Sequence, residues 1–384
     1  PQELTGWHLT DDPFDLAKWQ FPATTIPAGG YLLIYADKAT NSIISGELHA
    51  NFALSTDGET LALVAADSNT VVDAITTFEY SPGLFGYPPQ TENISYGRNA
   101  TNGMSYFDPS TPDAVNAGGA TDFVADTKFS HDRGFYTNAF DLTIASRTPG
   151  AQIYYTTNGS APDTSSTLFT GPITIGETTC IRARAYRTGL YPTDIDTQTY
   201  LFIADVVHQS PVNNEPPTPE WPSFNINGQS MQYGMDADIT HHADYTNLID
   251  DALLALPSIS LVTPLENLFD PSVGIYVNAD KEGDPWERVT SVELLNPDGS
   301  KGFQEDAGLR IRGGASRSDG NPKHAFRLRF RRAYGASRLN FKMFGEDGAD
   351  SFNGVDLRCS QTPSWNFTSP EKSTFVRDLF SRDM

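Results

Sequence analysis

The sequence predicts a mainly β protein made of two sandwich-like units followed by a third strand-rich unit. Three observations predict it. The chain has 384 residues, more than a single hydrophobic core usually serves. It carries 31 Gly and 26 Pro and lacks long Leu/Ala/Glu/Lys runs at helical spacing, a composition of short strands and turns rather than bundles. Its apolar residues fall in short alternating runs between turn formers, the period-two pattern of half-buried strands.

The first unit, 1–108, holds the runs "YLLIYAD", "ETLALVA" and "TVVDAITTF", separated by "PAGG" and "STDGE". Seven or so strands at this spacing predict a β-sandwich. The succession "GWHLTDDP…KWQFP…IPAGGYLLIYA…HANFALSTDGETLALV…SYGR" resembles the lamin-tail domain, an immunoglobulin-like sandwich, without that family's opening strand. A linker, "DPSTPDAVNAGGATDF", leads to the second unit, 126–202. There "IYYTTNGSAPDTSSTLFTGPITIGETTCIRARAYRTGLYPTD" alternates around Asn158-Gly159, a strong hairpin signal. This phrase resembles the non-catalytic sandwich at the C-terminus of chitobiase and β-hexosaminidase enzymes, with Asn158 where Asp is frequent.

Residues 203–256 are Pro-rich and aperiodic until a short helical run at "DYTNLIDDALLAL", and are expected to be a connector that lies on the third unit rather than folding alone. From Pro257 to the end, 257–384, strands are expected at "SISLV", "GIYVN", "ERVTSVELLN", "AGLRIRG" and "AFRLRFR". The last segment, "STFVRDLFSRDM", has a helical apolar stripe at Phe375 and Leu379. It is expected to be a packing helix, with a phosphate-positioning role for Arg377 as the sharper alternative.

A formal charge of −22 argues against nucleic acid and anionic membranes as partners of the chain as a whole, since both require a basic face, and leaves room only for a local exception. No apolar stretch is long enough to span a bilayer. Cys180 and Cys359 lie far apart, so each is expected to be a lone buried thiol rather than part of a disulfide framework. The chain opens within a strand pattern and stops within a helical one, so it is expected to be a fragment and its missing leader carries no information.

Against this acidic background, residues 307–335 hold Arg310, Arg312, Arg317, Lys323, Arg327, Arg329, Arg331 and Arg332 against the single acid Asp319. In "AFRLRFRR" three arginines alternate with Phe326, Leu328 and Phe330, and in "GLRIRGG" two alternate with Leu309 and Ile311. A hairpin of two such strands gathers five guanidiniums on one face. The intervening "GGASRSDGNPK" has the small residues and hydroxyls that suit a loop around phosphate oxygens. Ion pairing with surface acids is the competing account.

The stretch "ENLFDPSVGIYVN…WERVTSVELLNPDG…FQEDAGLRIRGGASRSDGNPKHAFRLRFRRAYGASRLNFKMFG…VDLRCSQTPSWNF…STFVRDLFSRDM" resembles the amino-terminal part of the CotH family, spore-coat protein H and its relatives, which have an atypical protein-kinase-like fold. The resemblance makes the expected fold class two immunoglobulin-like β-sandwiches followed by the α+β N-terminal lobe of a kinase-like domain. It implies ATP and Mg²⁺ as cofactors of the intact protein and phosphoryl transfer to extracellular or cell-surface proteins, in a secreted or surface-attached molecule. The phosphate-binding set it implies is Arg310, Arg312, Gly313, Gly314, Ser316, Arg317, Lys323, Arg327 and Arg329. Lys323 and Arg329 are its leading candidates; because His324 and Ala325 replace the usual Lys-Pro and Arg329 stands where Lys is frequent, the cation in the role of the kinase lysine stays open. The family's catalytic acids lie beyond Met384, so this chain is expected to be inactive, and Asp347, Asp350 and Asp356 are expected in a polar turn. The alternative is a non-catalytic adhesive or structural surface protein whose sandwiches bind glycans or neighbouring proteins.

His241 and His242 lack a third spaced ligand and are expected to be solvated rather than metal-bound. No acidic run matches calcium-loop spacing, and no G-x-S-x-G elbow occurs. Tyr154, Tyr155, Tyr186 and Tyr191 are expected to fill the second core, with a sugar-stacking platform as the alternative.

Overall fold

Strands account for 36% of the structure and helices for 7%, which makes the chain mainly β. The structure, a computed structural model, describes residues 1–91, 94–209, 216–222, 225–321, 323–345 and 348–359, without the side chain of Ala315. It packs as two compact units. The first is Pro1–Phe123 with Thr188–Tyr191; the second is Val124–Arg187 with the described residues from Pro192 onward. The terminal segment with Phe375, Arg377 and Leu379 lies outside the described residues, as does Asp347.

In the first unit, the antiparallel order Trp19–Gln20, His8–Thr10, Leu61–Val64, Val71–Ile75 makes a four-stranded sheet, and Ile34–Ala36, Glu47–Ala50 and Ile43–Ile44 make a second. Both come from the alternating runs. Leu4, Trp19, Phe21, Leu48, Ala50 and Phe52 form their buried core.

Two five-stranded sheets organise the second unit. β1 (Gly134–Tyr136), β2 (Gln152–Thr156), β3 (Thr167–Leu168), β4 (Thr179–Tyr186) and β5 (Asp196–Phe202) form a sheet in the order β1-β5-β4-β2-β3. Asn158-Gly159 does not close a two-residue hairpin: β2 meets β3 only at Tyr154–Leu168 and Tyr155–Thr167. The required turn needs positive φ at both residues, whereas only Gly159 has it and the Asn158 side chain accepts from the Ser160 N–H at 3.1 Å.

β6 (Ser258–Val262), β7 (Arg288–Leu295), β8 (Gln304–Arg312), β9 (Ala325–Arg329) and β10 (Gly354–Leu357) form an antiparallel meander in chain order. Leu309, Ile311 and Leu328 face a buried core with Ile275, Phe330 and Leu339. "GIYVN" is not the expected strand. Its backbone turns onto the short helix Glu266–Phe269, with the N–H groups of Ile275 and Tyr276 donating to the carbonyls of Asn267 and Leu268 at 2.8 and 2.9 Å. Gly274 permits this, because a Cβ there would sit 2.6 Å from the Leu268 carbonyl.

Within this unit the two five-stranded sheets meet across buried polar groups. Glu293 on β7 has no solvent exposure and accepts from the Thr199 N–H of β5 at 3.1 Å and from the Thr199 hydroxyl. Arg133 Nε lies 3.6 Å from the same carboxylate. Burial nevertheless pushes the Glu293 carboxyl above its ordinary range. Arg182 of β4, itself buried, reaches Asp306 of β8 at 4.0 Å and donates to the Gly159 carbonyl at 3.0 Å.

Candidate functional site

β8 and β9 pair with Arg310 opposite Arg327 and Gly308 opposite Arg329. Directly opposed residues share a face, so the sequence's alternation is realised: Leu309, Ile311 and Leu328 point to the core and the arginines to the other side. β10 extends the same face by setting Asp356 opposite Arg327. Asp356 is therefore part of a strand, not of the expected polar turn.

On this face lies an open cleft of about 460 Å³, lined by Arg310, Arg312, Arg317, Arg327 and Arg329, with Glu282 as its one acidic lining residue among those described. Gly313 and Gly314 form its glycine-rich edge. Gly313 has φ +125°, and a Cβ there would collide with the Ser316 hydroxyl, so the turn depends on glycine. The loop is anchored from two sides. His324 Nδ1 hydrogen-bonds the Ser316 carbonyl at 2.9 Å, and Arg317 donates from Nε to the Ala279 carbonyl at 3.0 Å and pairs with Glu282 at 2.8 Å. Ser316 and Arg317 thus shape the loop. Lys323 is exposed and does not line the cleft.

Three carboxylates from two segments, 284–287 and 354–357, partly neutralise the arginines. Arg327 grips Asp356 with Nε at 2.6 Å and Nη2 at 2.9 Å, and Arg312 Nε approaches the same carboxylate at 2.9 Å. Arg331 grips Asp284 at 3.0 and 3.1 Å. Glu287, with no exposed side-chain surface, sits 3.0 Å from Arg310 and 3.4 Å from Arg331. Gly308 leaves the space Glu287 fills, since a Cβ there would meet its carboxylate. The Arg327 guanidinium holds the Asp356 carboxyl below the usual carboxylate range, and Arg331 does the same for Asp284.

Two donors are left over. Nε of Arg310 and Nε of Arg329 are buried without a hydrogen-bond partner among the described residues. A buried unmatched donor is costly, and both belong to residues that line the cleft. Sequence reasoning missed Glu282, Asp284 and Glu287; the only local signal was "EGDPWE" before a predicted strand.

Of the other candidates, Tyr154 and Tyr186 meet edge to face at 5.7 Å within the second unit. Tyr191 belongs to the first unit, 5.6 Å from Phe123, and so is not part of the second unit's core. Neither cysteine is paired and both are only partly buried, though burial pushes the Cys180 thiol up to about 12 and keeps it unreactive. Among the described residues no group of His, Cys, Asp or Glu side chains is arranged to hold a metal ion, and no helix is long and apolar enough to cross a membrane.

A search of curated proteins finds no match to this chain. One segment does match a family model: residues 131–197, which carry β1 to β4 and open β5, match the chitobiase/beta-hexosaminidase C-terminal domain.

Proposed function

We propose that the arginine cleft receives the phosphates of a nucleotide, and that the residues from Pro257 onward are the small lobe of a CotH-like kinase domain. The chain is then part of a secreted or surface protein that phosphorylates extracellular proteins. The two sandwiches, the first of lamin-tail type, serve as spacer or adhesion modules. The observation that carries this reading is the cleft itself: among the described residues, five arginines against one acid in about 460 Å³, with two buried guanidinium N–H groups lacking partners there. Phosphate oxygens fit such donors because each accepts several charge-assisted hydrogen bonds. Bound ATP would supply the transferable phosphoryl group; Arg310 and Arg329 would hold its charge and Gly313 and Gly314 would let the backbone approach. These four residues give magnesium no ligand.

A second reading follows from a specific observation. Asp356 and Asp284 already engage Arg327 and Arg331 in two-point pairs, which favours a structural ion-pair network in a non-catalytic surface protein. Calorimetric titration of the chain with ATP at low salt separates the two. The cleft predicts roughly millimolar affinity, about −4 kcal/mol, weakened at least fivefold by Arg329→Ala. Arg147→Ala, which removes the same charge from an exposed position of the sandwich, should change it less than twofold. Equal losses in both variants, or no binding at all, would favour the structural network.

A further inference from the structure

A second cleft lies wholly within the first unit. It encloses about 550 Å³, and its walls include Phe78, Pro88, Tyr96, Tyr106, Asp122 and Phe123. Tyr96 and Tyr106 oppose each other across the hairpin of Ser95–Arg98 and Met104–Phe107. Their rings lie 4.7 Å apart at 53°, and Tyr106 meets Phe123 at 4.7 Å and 64°. The Tyr96 hydroxyl shares a 2.8 Å hydrogen bond with Thr77, which fixes that ring. Burial, then the neighbouring Tyr96 and Asp122, pushes the Tyr106 hydroxyl up to about 12, so the ring stays neutral.

Charge and ring geometry decide what this cleft can accept. Among the described residues, Asp122 is its one charged lining group. Residues 1–123 contain fifteen Asp and Glu against three Lys and Arg, a formal −12. Two of those three cations are already committed, Lys18 to Asp11 and Arg98 to Asp73. An anion is therefore repelled. A sugar that needs one broad flat platform is poorly served too, because successive rings meet at 53° and 64° and form walls instead. A cation gains from both features at once, the ring quadrupoles and the carboxylate, and the field of the whole unit draws it in.

We infer that this cleft binds an arginine side chain of a partner polypeptide. The guanidinium is planar, weakly hydrated and stacks on aromatic faces while pairing with a carboxylate, which suits a cage of Tyr and Phe with one acid at its edge. A polypeptide is favoured as the source because the −12 charge is spread over the unit and so attracts a basic chain more than it does a single small cation.

The test titrates the whole chain, at low salt, with three probes: acetyl-Gly-Arg-Gly-amide, the same peptide with citrulline for arginine, and phosphocholine. The expected result is millimolar binding of the arginine peptide, at least tenfold weaker binding of the isosteric neutral peptide, and weaker binding of phosphocholine. Asp122→Asn should weaken the arginine peptide about tenfold. Glu47→Gln removes the same charge from the same unit outside the cleft and should change it less than twofold. Equal losses in the two variants would reduce the effect to diffuse charge and overturn the site. Equal binding of the citrulline peptide would overturn cation recognition, and tighter binding of phosphocholine would overturn the polypeptide source. The peptide comparison uses the unaltered protein, so it decides the matter even if Asp122→Asn disturbs the 2.8 Å hydrogen bond from the Phe123 N–H.

Discussion

Replacing Asp356 with Asn separates a phosphate site from a structural ion-pair network, because the two accounts give it opposite value. The carboxylate is held by Arg327 at 2.6 and 2.9 Å and by Arg312 at 2.9 Å, and all three side chains are about one-third exposed, at 29, 36 and 34%. Partly exposed pairs contribute up to about 1 kcal/mol each, so losing both costs roughly 1–2 kcal/mol. For a unit of this size that lowers Tm by about 2–6 °C. The effect on anion binding has the other sign. A phosphate charge seated on the same two arginines would sit roughly 5 Å from the carboxylate, a repulsion of about 1 kcal/mol at an effective dielectric near 60. Removing it should tighten tripolyphosphate about fivefold. Differential scanning calorimetry and titration on one preparation read both numbers. A lower Tm with unchanged or weaker tripolyphosphate binding would refute the reasoning and assign the arginines to stability alone.

Two further outcomes are expected in the second unit. Burial, then the nearby Asp126, pushes the Asp196 carboxyl up to about 7, so between about pH 4 and 7 the native state keeps a proton that the unfolded chain, with an ordinary carboxyl, releases. Stability should fall as pH rises through that window and level off above it, by about 2 kcal/mol once the full shift is discounted for residual solvent access; urea midpoints for Asp196→Asn should show a correspondingly shallower slope, and identical slopes would contradict the assignment. Thr199→Val removes a hydroxyl donor from the fully buried Glu293 and should cost about 1–3 kcal/mol. Because that contact joins β5 to β7, hydrogen-exchange protection should fall in both five-stranded sheets, and a loss confined to β1–β5 would show that the sheets are energetically independent.

Local pattern was enough for much of this protein. Residues 325–331 alternate Arg with Leu and Phe, and since strand side chains alternate faces strictly, any strand there must carry a cationic face; Leu328 and Phe330, each 2% exposed, sit where the alternation puts them. The runs at 61–64 and 71–75 became strands for the same reason. Pattern failed where partners come from afar. "GIYVN" alternates like a strand, yet the N–H groups of Ile275 and Tyr276 donate to carbonyls of the helix Glu266–Phe269 instead. The acids that oppose the arginines, Glu282, Asp284, Glu287 and Asp356, lie on either side of the hairpin in sequence, and a carboxylate's partner is set by distances of about 3 Å that only the folded chain creates. In the same way Asp122 looks like an ordinary linker acid until Tyr96, Tyr106 and Phe123 close around the same cleft. Periodicity is a property of the backbone and can be read along the chain, whereas charge compensation and cavity shape are properties of space and appear only once distant segments are brought together.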